Sequence, residues 1–259
     1  MRKKTYLAYF DVLGFKEIVG KRLLTEVEDF FEKLLINTES VATNKRSECR
    51  KPLEYCADLN NSDLNCLHIS DSIIFWTNSD TNDDLNLILD RCAKLVQNTT
   101  IPCKLLRGCL TYGEISYNFC QSKGEASFLD YSIIGSTIVE AYTKAESLKL
   151  TGCIVDKKII KKLGQESFTK KIEDGIIAQR IVNTKFGNNL EYMFVPVKIG
   201  YTELGFENDI KNLKRAYEYA SKCPISNMPD EVRQKFNNTI EFYRSFLNPN
   251  IKTTKDLQS

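Results

Sequence analysis

Histidine is almost missing from this chain: His68 is the only one in 259 residues. A Ser-His-Asp or Cys-His mechanism would have to use it, and nothing near it in the sequence supports one. No run of 18 apolar residues occurs, which argues against a membrane span. Charge of one sign is also lacking. The 36 basic and 34 acidic residues are interspersed and leave a net charge of +2. No strong field for nucleic acid follows, so no nucleic-acid partner is expected. Cysteine is present, at positions 49, 56, 66, 92, 103, 109, 120, 153 and 223, but no Cys-x-x-Cys pair is. With one histidine and an odd cysteine count, a structural zinc has no ligand spacing to build on. Cysteines inside apolar segments act as small hydrophobes, which fits a reducing compartment. The start, MRKKTYLAYFDVLGF, is basic and then apolar. It is too short and too soon interrupted by Asp11 for a secretory signal, so the expected location is the cytoplasm.

What is present is a 42% hydrophobic chain, enough for one full core. Thr5–Phe10 reads as a central strand. A helix follows near Thr25, with Thr25 and Glu28 as a capping box and Val27, Phe30, Phe31, Leu34 and Leu35 as its stripe. Thr43–Asp63 reads as a loop, with a short element around Leu53–Cys56. Leu64–Ile69 and Ile73–Thr77 read as strands joined at Ser70-Asp71-Ser72. A second amphipathic helix begins after Thr81. Cys103–Tyr112 reads as a strand, Gly113 as a turn and Glu114–Phe119 as the partner strand. Tyr131–Ile134 is a short strand, and Gly135 opens a helix. Cys153–Val155 is a strand, and the lysines at 157, 158, 161 and 162 form a solvated helix face. Gly175–Val182 and Leu190–Val197 make a hairpin. Helices return from about Glu207, the last one starting at Pro229. The tail after Asn248 is polar. This order predicts an α+β fold with a ferredoxin-like core.

Four stretches carry chemistry: YFDVLGF (Tyr9–Phe15), ISDSI (Ile69–Ile73), LRGCLTYGE (Leu106–Glu114) and IIGSTIVEAYTKAE (Ile133–Glu146). If the first strand neighbours the 64–77 hairpin, Asp11 and Asp71 meet at one end of the sheet. Two close carboxylates repel unless a cation neutralises them, and hard divalent ions meet that need. Two metals clamping a phosphate suit in-line phosphoryl chemistry. After Asp11, Val12, Leu13 and Gly14 lead into a helix near Phe15, where backbone N–H groups can face an anion. Alone, Asp11 reads as a strand-end cap and Asp71 as a turn residue. Their joint occurrence within these motifs points to metal ligands.

These motifs resemble those of the class III nucleotidyl cyclases. Phe10-Asp11-Val12-Leu13-Gly14-Phe15 is similar to the end of that family's first strand. Ser70-Asp71 is similar to its second metal-binding hairpin, and Arg107-Gly108 to its Arg-x-Gly strand. Gly135–Glu146 is similar to its Gly-x-x-Val-Asn-x-Ala-x-Arg helix. The variants look most like bacterial Pycsar-type pyrimidine cyclases. The resemblance spans roughly residues 5–200. It implies a class III cyclase fold, with a mostly antiparallel sheet and a catalytic domain over 1–200. Residues 201–259 would be a helical extension packed on that domain or on the dimer. It implies two Mg²⁺ or Mn²⁺ ions held at Asp11, Val12 and Asp71, and a nucleoside triphosphate held at Val12–Phe15. It also implies a homodimer with its sites at the interface.

The chain departs from the purine-cyclase pattern in four places. The transition-state Asn and Arg fall on Val139 and Thr143. The base-reading Lys and Asp fall on Leu67 and Ser132. Purine recognition of the usual kind is therefore absent, which leaves another base or no catalysis. If catalysis occurs, Lys144 or Arg107 must supply positive charge. The expected product is cyclic UMP, ahead of cyclic CMP, as an anti-phage signal. The alternative is a non-catalytic nucleotide-binding homodimer.

Overall fold

The computed structural model describes residues 2–45, 47–51, 54–123, 127–197 and 200–247. The elements in chain order are β1 (Arg2–Val12), α1 (Phe15–Lys21), α2 (Leu24–Ala42), β2 (Ser47–Lys51), β3 (Glu54–Ala57), β4 (Asn65–Ile69), β5 (Ser72–Trp76), α3 (Asn82–Val96) and α4 (Ile101–Lys104). They continue with β6 (Leu106–Lys123), β7 (Ser127–Ile134), α5 (Ser136–Ser147), β8 (Gly152–Val155), α6 (Lys157–Glu173), β9 (Ile177–Thr184), β10 (Gly187–Phe194), α7 (Glu203–Ser221) and α8 (Asp230–Arg244).

The main sheet runs β4-β5-β1-β6-β8-β10-β9, and β7 pairs with the far half of β6. Its pairs are antiparallel except β6 with β8. The first four strands of the sheet, taken with α1–α3, form a β-α-β-β-α-β unit in the order 2-3-1-4, which is the ferredoxin-like arrangement. The expected α+β fold is the observed one.

The central position of β1 explains its composition. It is hydrogen-bonded on both sides and covered on both faces, so Tyr6–Phe10 is continuously apolar and buried. Alternate residues serve two cores. Tyr6, Ala8 and Phe10 face a layer of α1–α4, α6 and α7, while Leu7 and Tyr9 face α5 and α8. No helix among the described residues is long and apolar enough to cross a membrane.

Several expected boundaries shift, each for a local reason. α2 starts one residue before Thr25, and its cap is Leu23, whose N–H donates to the Glu26 carboxylate at 3.1 Å. Thr25 and Glu28 therefore lie inside the helix and form no capping box. Cys103 and Lys104 belong to α4, which Pro102 helps to start, rather than to a strand. Gly113 is not a turn. β6 runs through it without a break, and its hairpin partner is β7. The glycine is needed because a Cβ there would collide with the Thr137 hydroxyl at the start of α5. α7 begins at Glu203, capped by Thr202, and Pro229 caps α8 from outside it. Of the expected element at 53–56, Glu54 onward is β3, while Leu53 and the tail after Asn248 lie outside the described residues.

Candidate active site

Strand register brings the charged residues together. On β1, Asp11 lies opposite Ser72 of β5 on one side and Arg107 of β6 on the other. Ser70 and Asp71 turn β4 into β5, with Ser70 in the left-handed region at φ 55°. The Asp71 carbonyl accepts the Val12 N–H at 3.2 Å, and the Leu105 carbonyl accepts the Leu13 N–H at 2.8 Å. These two amides are therefore committed to protein carbonyls and do not face an anion. Gly14 then takes φ +83°, a conformation that favours glycine, and caps α1.

Arg107 is the centre of the cluster. Its Nε and Nη2 donate to Asp11 Oδ2 at 2.8 and 2.7 Å. Its Nη1 donates to the Glu146 carbonyl of α5 at 3.1 Å. Burial nevertheless pushes the Asp11 carboxyl up to about 6. Arg107 works against that rise, and Asp71, within hydrogen-bonding reach, adds to it. The Tyr9 hydroxyl shares a 2.8 Å hydrogen bond with Ser72. Burial pushes it up to about 12, with Asp11 and Asp71 adding to the shift. The Tyr142 ring of α5 meets Tyr9 edge-on, with centroids 5.5 Å apart. His68, behind Asp71 on β4, is held below the usual imidazole value by burial.

The structure thus gathers Asp11, Asp71 and Arg107, with Val12, Leu13, Gly14 and Phe15 on the adjoining turn. It does not gather the other expected residues. The Lys144 ammonium is shared between buried Asp156 and Glu140, the latter at 3.1 Å. Ser132 pairs with Asn118 on the β6–β7 ribbon. That is eleven residues along β6 from Arg107, or about 35 Å at strand spacing. Leu67 pairs with Ile74, two strands from β1, and packs against the α5-side core. Thr143 is exposed and donates its hydroxyl to the Val139 carbonyl at 2.8 Å. Tyr9, Ser72, Tyr142 and Glu146 fall inside the four chemistry-bearing stretches but were expected to have no role in the site. Two signals were available. Tyr9 lies two residues before Asp11 and so shares its face, and Tyr142 and Glu146 are one helical turn apart.

The donors suit a hard divalent cation. Asp11 Oδ1 and the Asp71 carboxylate are oxygens, and with Arg107 the cluster keeps one net negative charge when both carboxyls are ionised. No group of three His, Cys, Asp or Glu side chains that could hold a metal occurs among the described residues. Further ligands would have to come from the backbone, water or a phosphate.

No family model matches the chain, and no curated protein does. Among solved structures it is similar to the guanylate cyclase domain of RhGC from Catenaria anguillulae in complex with GTP. That likeness has 11% identity, covers 75% of this chain and 97% of that one, and has a TM-score of 0.49. The dimeric guanylyl cyclase domain of the RhoGC fusion protein from Blastocladiella emersonii is similar at 12% identity, over 74% and 95% of the two chains, with a TM-score of 0.47. A bacterial light-regulated adenylyl cyclase is similar at 11% identity, over 85% of this chain and 58% of that one, with a TM-score of 0.46. Likenesses this distant assign no reaction to the chain.

Proposed function

We propose that the protein is a nucleotide cyclase, converting a nucleoside triphosphate to a 3′,5′-cyclic nucleotide and pyrophosphate. The observation that carries this reading is the meeting of Asp11, Asp71 and Arg107 at the end of β1. Asp11, Asp71 and the main chain of Val12 would hold two Mg²⁺ or Mn²⁺ ions. Such ions supply charge for the triphosphate and lower the pKa of the ribose 3′-hydroxyl. The ribose oxygen attacks the α-phosphorus in line, and pyrophosphate leaves. Arg107 keeps Asp11 ionised against burial and against Asp71, and it fixes the orientation of that carboxylate. The charge role rests on Arg107 rather than Lys144, whose ammonium is already shared by two carboxylates. Gly14 and Phe15, at the start of α1, remain the backbone candidates for the phosphates.

The substrate we propose is a pyrimidine triphosphate, UTP ahead of CTP, because the motif positions that carry a charged pair in purine cyclases are Leu67 and Ser132 here, although this chain does not bring either of them to the Asp11–Asp71 cluster. Leu67 and Ser132 carry no charge with which to read a purine. A homodimer is supported by Ile134, at the end of β7, and Val139, on α5, which expose 67% and 62% of their surface. A cytoplasmic alarm signal against phage is the physiological role that fits this chemistry. Incubation with each of the four triphosphates and Mn²⁺ tests the proposal. Cyclic UMP with pyrophosphate is the expected product, and absence of any cyclic product overturns the enzyme reading. One observation favours a second reading, a non-catalytic nucleotide-binding homodimer. Val139 is apolar and the Thr143 hydroxyl is satisfied by its own helix, so neither is poised for a transition state. Thermal stabilisation by a triphosphate without turnover identifies that case.

A further inference from the structure

Three residues before Arg107, Lys104 is 1% exposed and closed off by the C-terminal helices. Its ammonium pairs with Asp209 of α7 at 2.9 Å and donates to the Tyr243 hydroxyl of α8 at 3.3 Å. It also lies 5.0 Å from the Tyr243 ring centroid. Asp209 in turn accepts the Tyr201 hydroxyl at 3.0 Å. Between Lys104 and Arg107 lies Leu105, whose carbonyl holds the Leu13 N–H of the turn after Asp11. A stretch of four residues therefore touches three things in succession: the C-terminal helices, the turn and the Asp11 carboxylate.

The same two helices reach the site from two more directions. Ala220 of α7 packs against Gly14, 3.5 Å from where a Cβ would stand. Thr239 of α8 accepts the Thr151 N–H at 3.1 Å. Thr151 precedes Gly152, which lies beside Arg107 across the parallel β6–β8 pair. Phe242 of α8 closes on Gly152 as well. Every chain segment that borders the Asp11–Arg107 pair on β6, β8 and the turn is thus fastened to α7 or α8.

We infer that Lys104 is a positioning residue through which α7 and α8 hold Arg107 on Asp11. It touches no substrate. It fixes the start of β6, and the start of β6 fixes both the guanidinium and the carbonyl that holds the turn. A buried lysine with an aspartate and a tyrosine around it has one geometry in which all are satisfied, and that uniqueness is passed on to the site. The inference gives the cyclase reading its source of preorganisation and rests on that reading for its catalytic meaning. Its structural content can be measured without any nucleotide.

The test compares the full chain with Lys104→Met and with a control, Leu163→Ala in α6, which lowers overall stability away from this segment. Amide exchange is followed at Leu13, and the Arg107 Nε–H is followed by nitrogen-resolved NMR. In Lys104→Met, exchange at both is expected to rise at least about tenfold above the control. In the cyclase assay kcat should fall with KM little changed, because positioning and not uniform binding is lost. Equal exchange at Leu13 and Arg107 in the two variants overturns the inference, as does full protection of both in Lys104→Met. If Lys104→Met does not fold, Asp209→Asn, which keeps an oxygen for the ammonium, is judged by the same exchange criteria. Lost protection without any cyclic product would sustain the positioning role while the cyclase reading failed.

Discussion

Two ion pairs, one built on the buried Lys104 and one on the half-buried Arg107, lie three residues apart along this chain and behave in opposite ways. Lys104 with Asp209 and Tyr243 is complete. Burial opposes its charge, yet its neighbours outweigh burial and the ammonium is held above the ordinary lysine value. Arg107 with Asp11 and Asp71 is incomplete. One guanidinium faces two carboxyls, and Asp11 is left well above the ordinary carboxylate value. The first arrangement is what a fold needs of a buried charge. The second is tolerated at a stability cost, and an unrelieved negative cluster is what a cationic ligand can bind. The difference is why we propose chemistry at Asp11 and architecture at Lys104.

The contrast can be broken most severely at the incomplete pair. Asp71→Asn is expected to lower cyclic-nucleotide formation at least about a hundredfold while the folded chain persists, measured by product chromatography and circular dichroism. Turnover at the wild-type level would remove Asp71 from the site. At the complete pair the loss is one of stability. Lys104→Met should reduce the free energy of unfolding by about 3 kcal/mol in urea titrations, because the half-buried Asp209 carboxylate loses its cationic partner. A change under 1 kcal/mol would show the pair to be dispensable.

A subtler difference is in pH response. The folded-state value for Asp11, about 6, lies above its ordinary 3.8. The native state therefore binds the proton more tightly than the unfolded chain. Its stabilising contribution is full at low pH and is lost as pH rises through about 6. Wild type should lose about 2 kcal/mol between pH 4 and 7 relative to Asp11→Asn, read from parallel denaturation curves. Identical pH profiles would show that Asp11 titrates normally. The smallest effect belongs to Tyr9→Phe. It removes one hydroxyl contact to Ser72 and should cost about 1 kcal/mol. A much larger loss would make Tyr9 part of the site's framework.

The outline of the fold was legible because its signals are local. An apolar run ending in Asp11, the Ser70–Ser72 break and the Thr81 cap each declare themselves within a few residues. Gly113 was misread for the opposite reason. Nothing beside it reveals that Thr137, 24 positions later, needs its missing side chain, so a turn was the natural reading. The carboxylate pair could be foreseen only once β1 and β5 were assumed to be neighbours, since register decides which residues of two strands meet. The Lys104 cage was beyond reach. Asp209 and Tyr243 lie more than a hundred residues away, and a lysine at the end of a short helix looks like any surface lysine. The binding of Lys144 to Asp156 was equally hidden, because Asp156 caps α6 and is buried only once that helix docks.

α5 is strapped to β6 at both ends. At its start, Thr137 seats against Gly113 and donates its hydroxyl to the Glu114 carbonyl at 2.9 Å. At its far end, the Glu146 carbonyl takes the Arg107 guanidinium. Helix and strand are therefore one mechanical part, a splint rather than two hinged pieces. A force applied to the β6–β7 ribbon is delivered along that splint to Arg107, and from there to the carboxylate it holds.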